Sequence, residues 1–158
     1  MNRRIVLNTG PLISFGKIAA FDLLRKLPFD LITTAQVQTE ITIGTTLGYP
    51  VKVPSWIDVV TLTEPPSRFA LANLDAGEAS VIEAAIQLDI PLVCIDELKG
   101  RRAAVASGLQ VIGSLGILGK AKKLGFIESV RPFVQKAQEN GIYYDEALID
   151  RFLRGCGE

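Results

Sequence analysis

Histidine is absent from the 158 residues. That gap removes imidazole general acid–base chemistry, serine–histidine–aspartate triads and histidine-ligated zinc. Cysteine is scarce. Cys94 and Cys156 are the two in the chain, and they lie too far apart for a zinc-ligand spacing. Cys94 sits inside the apolar run PLVCID and is expected in the core. Nothing calls for a disulfide, which fits a reducing cytoplasm. No apolar run approaches the length of a membrane span, and the amino-terminal stretch lacks the apolar segment of a signal peptide. There is no excess of either charge, since Lys+Arg and Asp+Glu are both 17. A net charge of zero argues against coating nucleic acid non-specifically, although it leaves room for a local basic patch. Without histidine or paired cysteines, any metal would be held by carboxylates and amides, a donor set suited to Mg²⁺ or Mn²⁺.

What is present suits one domain. The hydrophobic fraction is 48%, enough for a core, and the charged fraction of 22% is not that of a disordered polyelectrolyte. No repeat or low-complexity tract interrupts the chain. Short apolar runs alternate with helical patterns. Strands are predicted at Ile5–Leu7, FDLITT, IDVVTL, PLVCID and LQVIG. Helices are predicted over Pro11–Lys26, with a break near Gly16, and over AQVQTEI, where Val37 and Ile41 share a face. LDAGEASVIEAAIQLD follows, with Ala79, Ile82 and Ile86 on its apolar side. Further helices are predicted over ELKGRRAAVASG, closed by Gly108, over SLGILGKAKKLG, and over Ser129–Asn140 and Asp145–Arg154. Gly44–Pro54 is expected to be a mobile loop and TEPPSR a connector. This alternation predicts an α/β fold whose parallel sheet is covered on both faces.

In such a sheet the strands' carboxyl ends share one edge, where ligands bind. Asn8 follows the first strand and Glu40 lies on the helix after the second. Asp75 and Glu78 open the helix after the third, and Asp96 with Glu97 follow the fourth. Carboxylates converging there repel one another unless a cation sits between them. Each has a plainer structural role as well. Asn8 with Thr9 suits the start of the next helix. Glu40 suits a solvated helix face. Asp75 looks like an N-cap, with Glu78 as its capping-box partner. Asp96 is the hardest to explain structurally, because a carboxylate directly after an apolar strand is costly unless something binds it. Lys99, Arg101 and Arg102 come next and suit a phosphate backbone, or else a solvated helix face. Lys120, Lys122 and Lys123 complement a helix dipole. Tyr49 and Trp56 are candidates for base stacking, with packing the simpler role.

IVLNTGPLI, Glu40, LDAGEASVI, LVCIDELKGRRAA and GLQVIGSLGILGKAKKLGFI resemble, in order and spacing, the PIN-domain family. The likeness is strongest to a prokaryotic subfamily that often carries asparagine at the first acidic position. It spans nearly the whole chain, 1–158. The resemblance implies a single PIN-like α/β domain with a five-stranded parallel sheet, order 3-2-1-4-5, flanked by helices. It implies a Mg²⁺- or Mn²⁺-dependent ribonuclease. Many relatives are toxins of toxin–antitoxin pairs, of the VapC kind, which implies RNA as substrate, an antitoxin protein as partner and a homodimer. Residue by residue, the family's four metal-site positions fall on Asn8, Glu40, Glu78 and Asp96. The amide at Asn8 departs from the family's usual aspartate. An amide oxygen still ligates Mg²⁺, but it brings no charge and serves as no base. Two functions therefore stand side by side: a ribonuclease with a weakened metal site, and a catalytically silent nucleic-acid- or protein-binding module. A phosphatase would want an aspartate nucleophile after the first strand, which Asn8 does not supply.

Overall fold

Ile5, Val6 and Leu7 are shielded completely from solvent. A strand of such residues has to be covered on both faces. In the computed structural model, which describes residues 2–48 and 51–158, it lies at the centre of one parallel sheet. The strands are β1 (Arg3–Leu7), β2 (Phe29–Thr34), β3 (Asp58–Val60), β4 (Leu92–Cys94) and β5 (Gln110–Ile112). Their order is β3-β2-β1-β4-β5. Val6 pairs with Ile32 on one side and with Val93 on the other.

The described helices are α1 (Thr9–Lys17), α2 (Phe21–Lys26), α3 (Ala35–Thr46), α4 (Arg68–Asn73) and α5 (Ala76–Gln87), then α6 (Leu98–Ala106), α7 (Ser114–Lys123), α8 (Arg131–Glu139) and α9 (Glu146–Gly155). α5 packs across β1, β2 and β4 and touches α3, α4 and α6. Its Val81, Ala84 and Ala85 are buried with β1 in one core. Each large aliphatic side chain so buried contributes roughly 1.5–3 kcal/mol. Cys94 is fully buried in the same core, and both cysteines are free thiols. Among the described residues, no helix is long and apolar enough to cross a membrane.

The strand order makes the gap between β1 and β4 a topological switch point, because the chain leaves β1 towards β2 and returns on its other side as β4. The Asn8 amide N–H donates to the Cys94 carbonyl at 3.0 Å and closes the two exits together.

The structure redraws several expected boundaries. Pro11–Lys26 is two helices. The chain breaks at Ile18–Ala20, where Ala19 has φ +53°, and not at Gly16. Gly16 lies within α1, where a Cβ would come within 2.6 Å of Val51. α3 runs past AQVQTEI to Thr46, so the first part of the expected loop Gly44–Pro54 is helical. Tyr49 and Pro50 lie outside the described residues. IDVVTL, PLVCID and LQVIG each contribute three residues of strand. α4 was not expected; Ser67 at the end of TEPPSR caps it, its side chain accepting from the Ala70 N–H. Ile86, expected on the apolar face of α5 with Ala79 and Ile82, is 49% exposed. Ala84 and Ala85 beside it in the last turn are buried, so Ile86 lies on the open side of a helix that is still covered. Gly108 does close its helix, with φ +83°.

Candidate metal centre at the carboxyl edge of the sheet

Asn8 stands at the N-cap of α1, yet its side chain makes no capping hydrogen bond. It is 6% exposed, and its Oδ1 accepts no hydrogen bond. The capping role open to it in the sequence is therefore not the one its side chain plays. An unpartnered buried carbonyl costs about 1–3 kcal/mol.

Thr34 caps α3, its Oγ1 accepting from the Val37 N–H at 3.1 Å. With Val37 and Ile41 buried beneath the helix, Glu40 is carried to the edge beside α1 and α5. It is half-buried, not on a fully solvated face. Thr9 Oγ1 donates to Glu40 Oε2 at 2.6 Å. The same carboxylate lies against Gly77, where a Cβ would collide with it.

Asp75 and Glu78 form the expected capping box: Asp75 Oδ1 accepts from the Glu78 N–H at 2.7 Å, and Glu78 Oε1 accepts from the Asp75 N–H at 3.3 Å. Glu78 is 3% exposed. Its other oxygen, Oε2, accepts no hydrogen bond. That oxygen lies against Gly100 of α6, where again a Cβ would collide with it. Burial, then the Asp75 side chain, push the Glu78 carboxyl up to about 7, against the lowering effect of the Asp75 backbone N–H.

Asp96 follows β4. Ser114, the first residue of α7, donates its N–H to Asp96 Oδ1 at 2.7 Å, and its hydroxyl contacts both carboxylate oxygens at 2.9–3.0 Å. Tyr144 Oη is 3.3 Å from the same Ser114 hydroxyl. Burial raises the Asp96 pKa above its ordinary value, against the lowering effect of Ser114 and the Arg101 guanidinium. A Cβ on Gly113 would stand 3.1 Å from Asp96 Oδ1, so a glycine gives this acid too its room.

The four positions are thus gathered at one end of the sheet, but not in one tight shell. Among the described residues, the one group of three or more acids with oxygens within 4.8 Å of one another is Asp75, Glu78 and Glu97. Glu40 and Asp96 are not in that group; Glu40 is bonded to Thr9 and Asp96 to Ser114. The donor set fits a hard divalent cation all the same: it is all oxygen, and it includes two buried oxygens without partners, one from Asn8 and one from Glu78.

The basic cluster divides. Arg101 turns inward and donates from Nη1 to the Ile95 carbonyl at 2.8 Å, bracing the exit of β4. Lys99 and Arg102 are exposed, one turn apart on the outer face of α6. Lys122 pairs with Glu158 at 3.0 Å, and Lys120 lies over the Phe29 ring, so these lysines do more than complement a dipole. Trp56 is half-buried beneath Arg25, whose guanidinium carbon is 5.6 Å from the ring centroid.

Thr9, Ser114 and Tyr144 escaped the sequence reading as site residues. A hydroxyl residue opening a helix directly after a strand was the available signal for Thr9 and Ser114. Tyr144 gave none, since its place follows from how the segment after α8 returns across the sheet edge.

A doubly covered parallel sheet with acids gathered at its switch point is an α/β fold with a candidate ligand site at its carboxyl edge. A family model described as a PIN domain matches residues 4–158, and the chain belongs to that family. Comparison with curated proteins gives no match.

Proposed function

We propose that the chain is a Mg²⁺- or Mn²⁺-dependent endoribonuclease whose ion is held by Asn8, Glu40, Glu78 and Asp96. The observation that carries this reading is the pair of buried, unpartnered oxygens, Asn8 Oδ1 and Glu78 Oε2, at the edge where Glu40 and Asp96 also end. Family membership adds to it. A divalent ion there supplies Lewis-acid stabilisation of a phosphodiester under attack and lowers the pKa of water. The chain's own side chains do the rest. Thr9 fixes Glu40 and Ser114 fixes Asp96, and Glu78 Oε2 is without a partner. Arg101 holds the β4 exit, and Lys99 and Arg102 offer charge to phosphates. In this reading the substrate is RNA in the cytoplasm. The chain acts as the toxin of a toxin–antitoxin pair, bound by an antitoxin protein and paired with a second copy of itself.

Asn8 favours a second reading. With one charge fewer than four acids would give, the site is a weak one, and a catalytically silent module that binds RNA or protein is the competing function.

Two measurements separate them. Titration calorimetry with Mn²⁺ is expected to show weak binding that Asp96→Asn diminishes. Incubation with a mixed RNA pool is expected to show Mn²⁺-dependent cleavage. Binding without cleavage would favour the silent module, and equal heats from the two proteins would remove Asp96 from the site.

A further inference from the structure

Beside the acids lies an apolar groove of about 770 Å³. Asp96 and Arg101 are in its wall, with Leu98, Tyr143, Tyr144 and Leu148. Tyr143 is 86% exposed, so the face of a large aromatic ring is left to water there. A second groove of about 490 Å³ runs along α6 and β5 and contains Arg102. The two grooves adjoin, because both are lined by Arg101 and Val111.

We propose that the first groove is a base-binding subsite for single-stranded RNA, in which Tyr143 stacks on a base of the nucleotide beside the scissile phosphate. This deepens the ribonuclease reading and rests on it. Three observations favour a base over other occupants. The groove is continuous with the acid site, since Asp96 lines it and Tyr144 reaches the Ser114 hydroxyl that holds Asp96. Its charged walls hold three acids, Asp96, Glu97 and Asp145, against one cation, Arg101, which is turned onto the Ile95 carbonyl, so phosphate is repelled, whereas a flat uncharged base meets apolar side chains. The exposed cation needed for the neighbouring phosphate, Arg102, lies in the adjoining groove. A duplex keeps its bases stacked on one another, so the ring of Tyr143 selects single strands.

The test uses the full chain in EDTA, so that nothing is cut. Fluorescence anisotropy compares a labelled single-stranded RNA of about eight nucleotides with an abasic ribose-phosphate chain of equal length. Tyr143→Ala is expected to weaken the base-containing strand by at least about five-fold, the loss of one aromatic stack. It should leave the abasic chain unaffected, and Tyr143→Phe should retain wild-type affinity. Thermal melts are expected to coincide, because Tyr143 is exposed.

An equal loss for both strands, or no loss for either, overturns the proposal. So does wild-type protein that binds neither strand, the result expected if the groove receives a protein segment. Cleavage of RNA with Mn²⁺ is measured alongside. If wild type cleaves but Tyr143→Ala binds normally, the subsite falls and the nuclease stands. If wild type does not cleave but the base-dependent loss appears, the subsite stands and the nuclease reading falls.

Discussion

The carboxylate of Glu40 occupies the space that a side chain on Gly77 would need. Glu78 stands in the same relation to Gly100. Two of the candidate metal-site acids are therefore placed by the absence of a Cβ on a neighbouring helix. The two glycines differ in what else surrounds them. At Gly77 the three atoms nearest to an added Cβ all belong to the flexible end of Glu40, whereas at Gly100 the buried Ile95 also stands 2.9 Å away.

Gly77→Ala is accordingly expected to leave apo stability within about 1 kcal/mol, because Glu40 can swing out, while weakening Mn²⁺ binding clearly. Gly100→Ala is expected to cost about 1–3 kcal/mol of stability as well, the range for overpacking a core. Urea unfolding with and without Mn²⁺ measures both. Unchanged Mn²⁺ stabilisation in Gly77→Ala would remove Glu40 from the site.

Apo stability should fall as pH rises from about 5 to 8. Burial holds the folded-state pKa of Glu78 at about 7, above its ordinary 4.5. A carboxyl raised in this way stabilises the fold fully below its unfolded pKa, and that contribution is lost as pH climbs through the folded value. Asp96, also raised by burial, acts in the same direction. Glu158 acts oppositely and elsewhere: hydrogen bonds, first from Ser129, hold it at about 2, so its contribution is lost only in acid, between about 4.5 and 2. Thermal melts from pH 5 to 8 on wild type and Glu78→Gln test this, and the variant should show the flatter profile. Stabilisation by added Mn²⁺ should move the other way and grow with pH, because the carboxylate form is the ligand.

The arginines and lysine after β4 should separate into two behaviours. Replacing Lys99 and Arg102 with alanine is expected to reduce the salt slope of RNA binding by about 1.4, two single-strand phosphate contacts' worth, with little effect on folding. Arg101→Ala is expected to cost about 1–3 kcal/mol of stability by stripping the Ile95 carbonyl of its donor. A salt slope that drops only with Arg101 would reverse these assignments.

Much of this architecture was legible in the chain. The continuous apolar runs at Ile5–Leu7 and Leu92–Cys94 require double cover, which made the parallel sheet readable. The capping box of Asp75 and Glu78 is a local device written in four consecutive residues, and it forms as read. The boundaries that shifted depend on tertiary cover. The break at Ala19 follows from the turn into α2, and the exposure of Ile86 from which side of α5 its neighbours cover, the side of Ala84 and Ala85. At the site, the order of the strands brought Asn8, Glu40, Asp75, Glu78, Asp96 and Glu97 to one edge, and the family resemblance singled out four of them. Neither showed that Arg101 turns inward, that Thr9 and Ser114 hold two of the acids, or that glycines make room for them. Apart from the short reach of Arg101 back to Ile95, those contacts join residues 17 to 37 positions apart, and their geometry is fixed by packing between elements.

Mn²⁺-dependent cleavage of a fluorogenic RNA by wild type and Asn8→Asp, with melts of both proteins, tests the central claim most directly. If Asn8 Oδ1 is a metal ligand lacking charge, Asn8→Asp should raise Mn²⁺ affinity and cleavage together and lower apo stability, because four acids then repel in the empty edge. Wild-type cleavage already as fast as that of Asn8→Asp, with equal Mn²⁺ stabilisation of the two, would contradict the account.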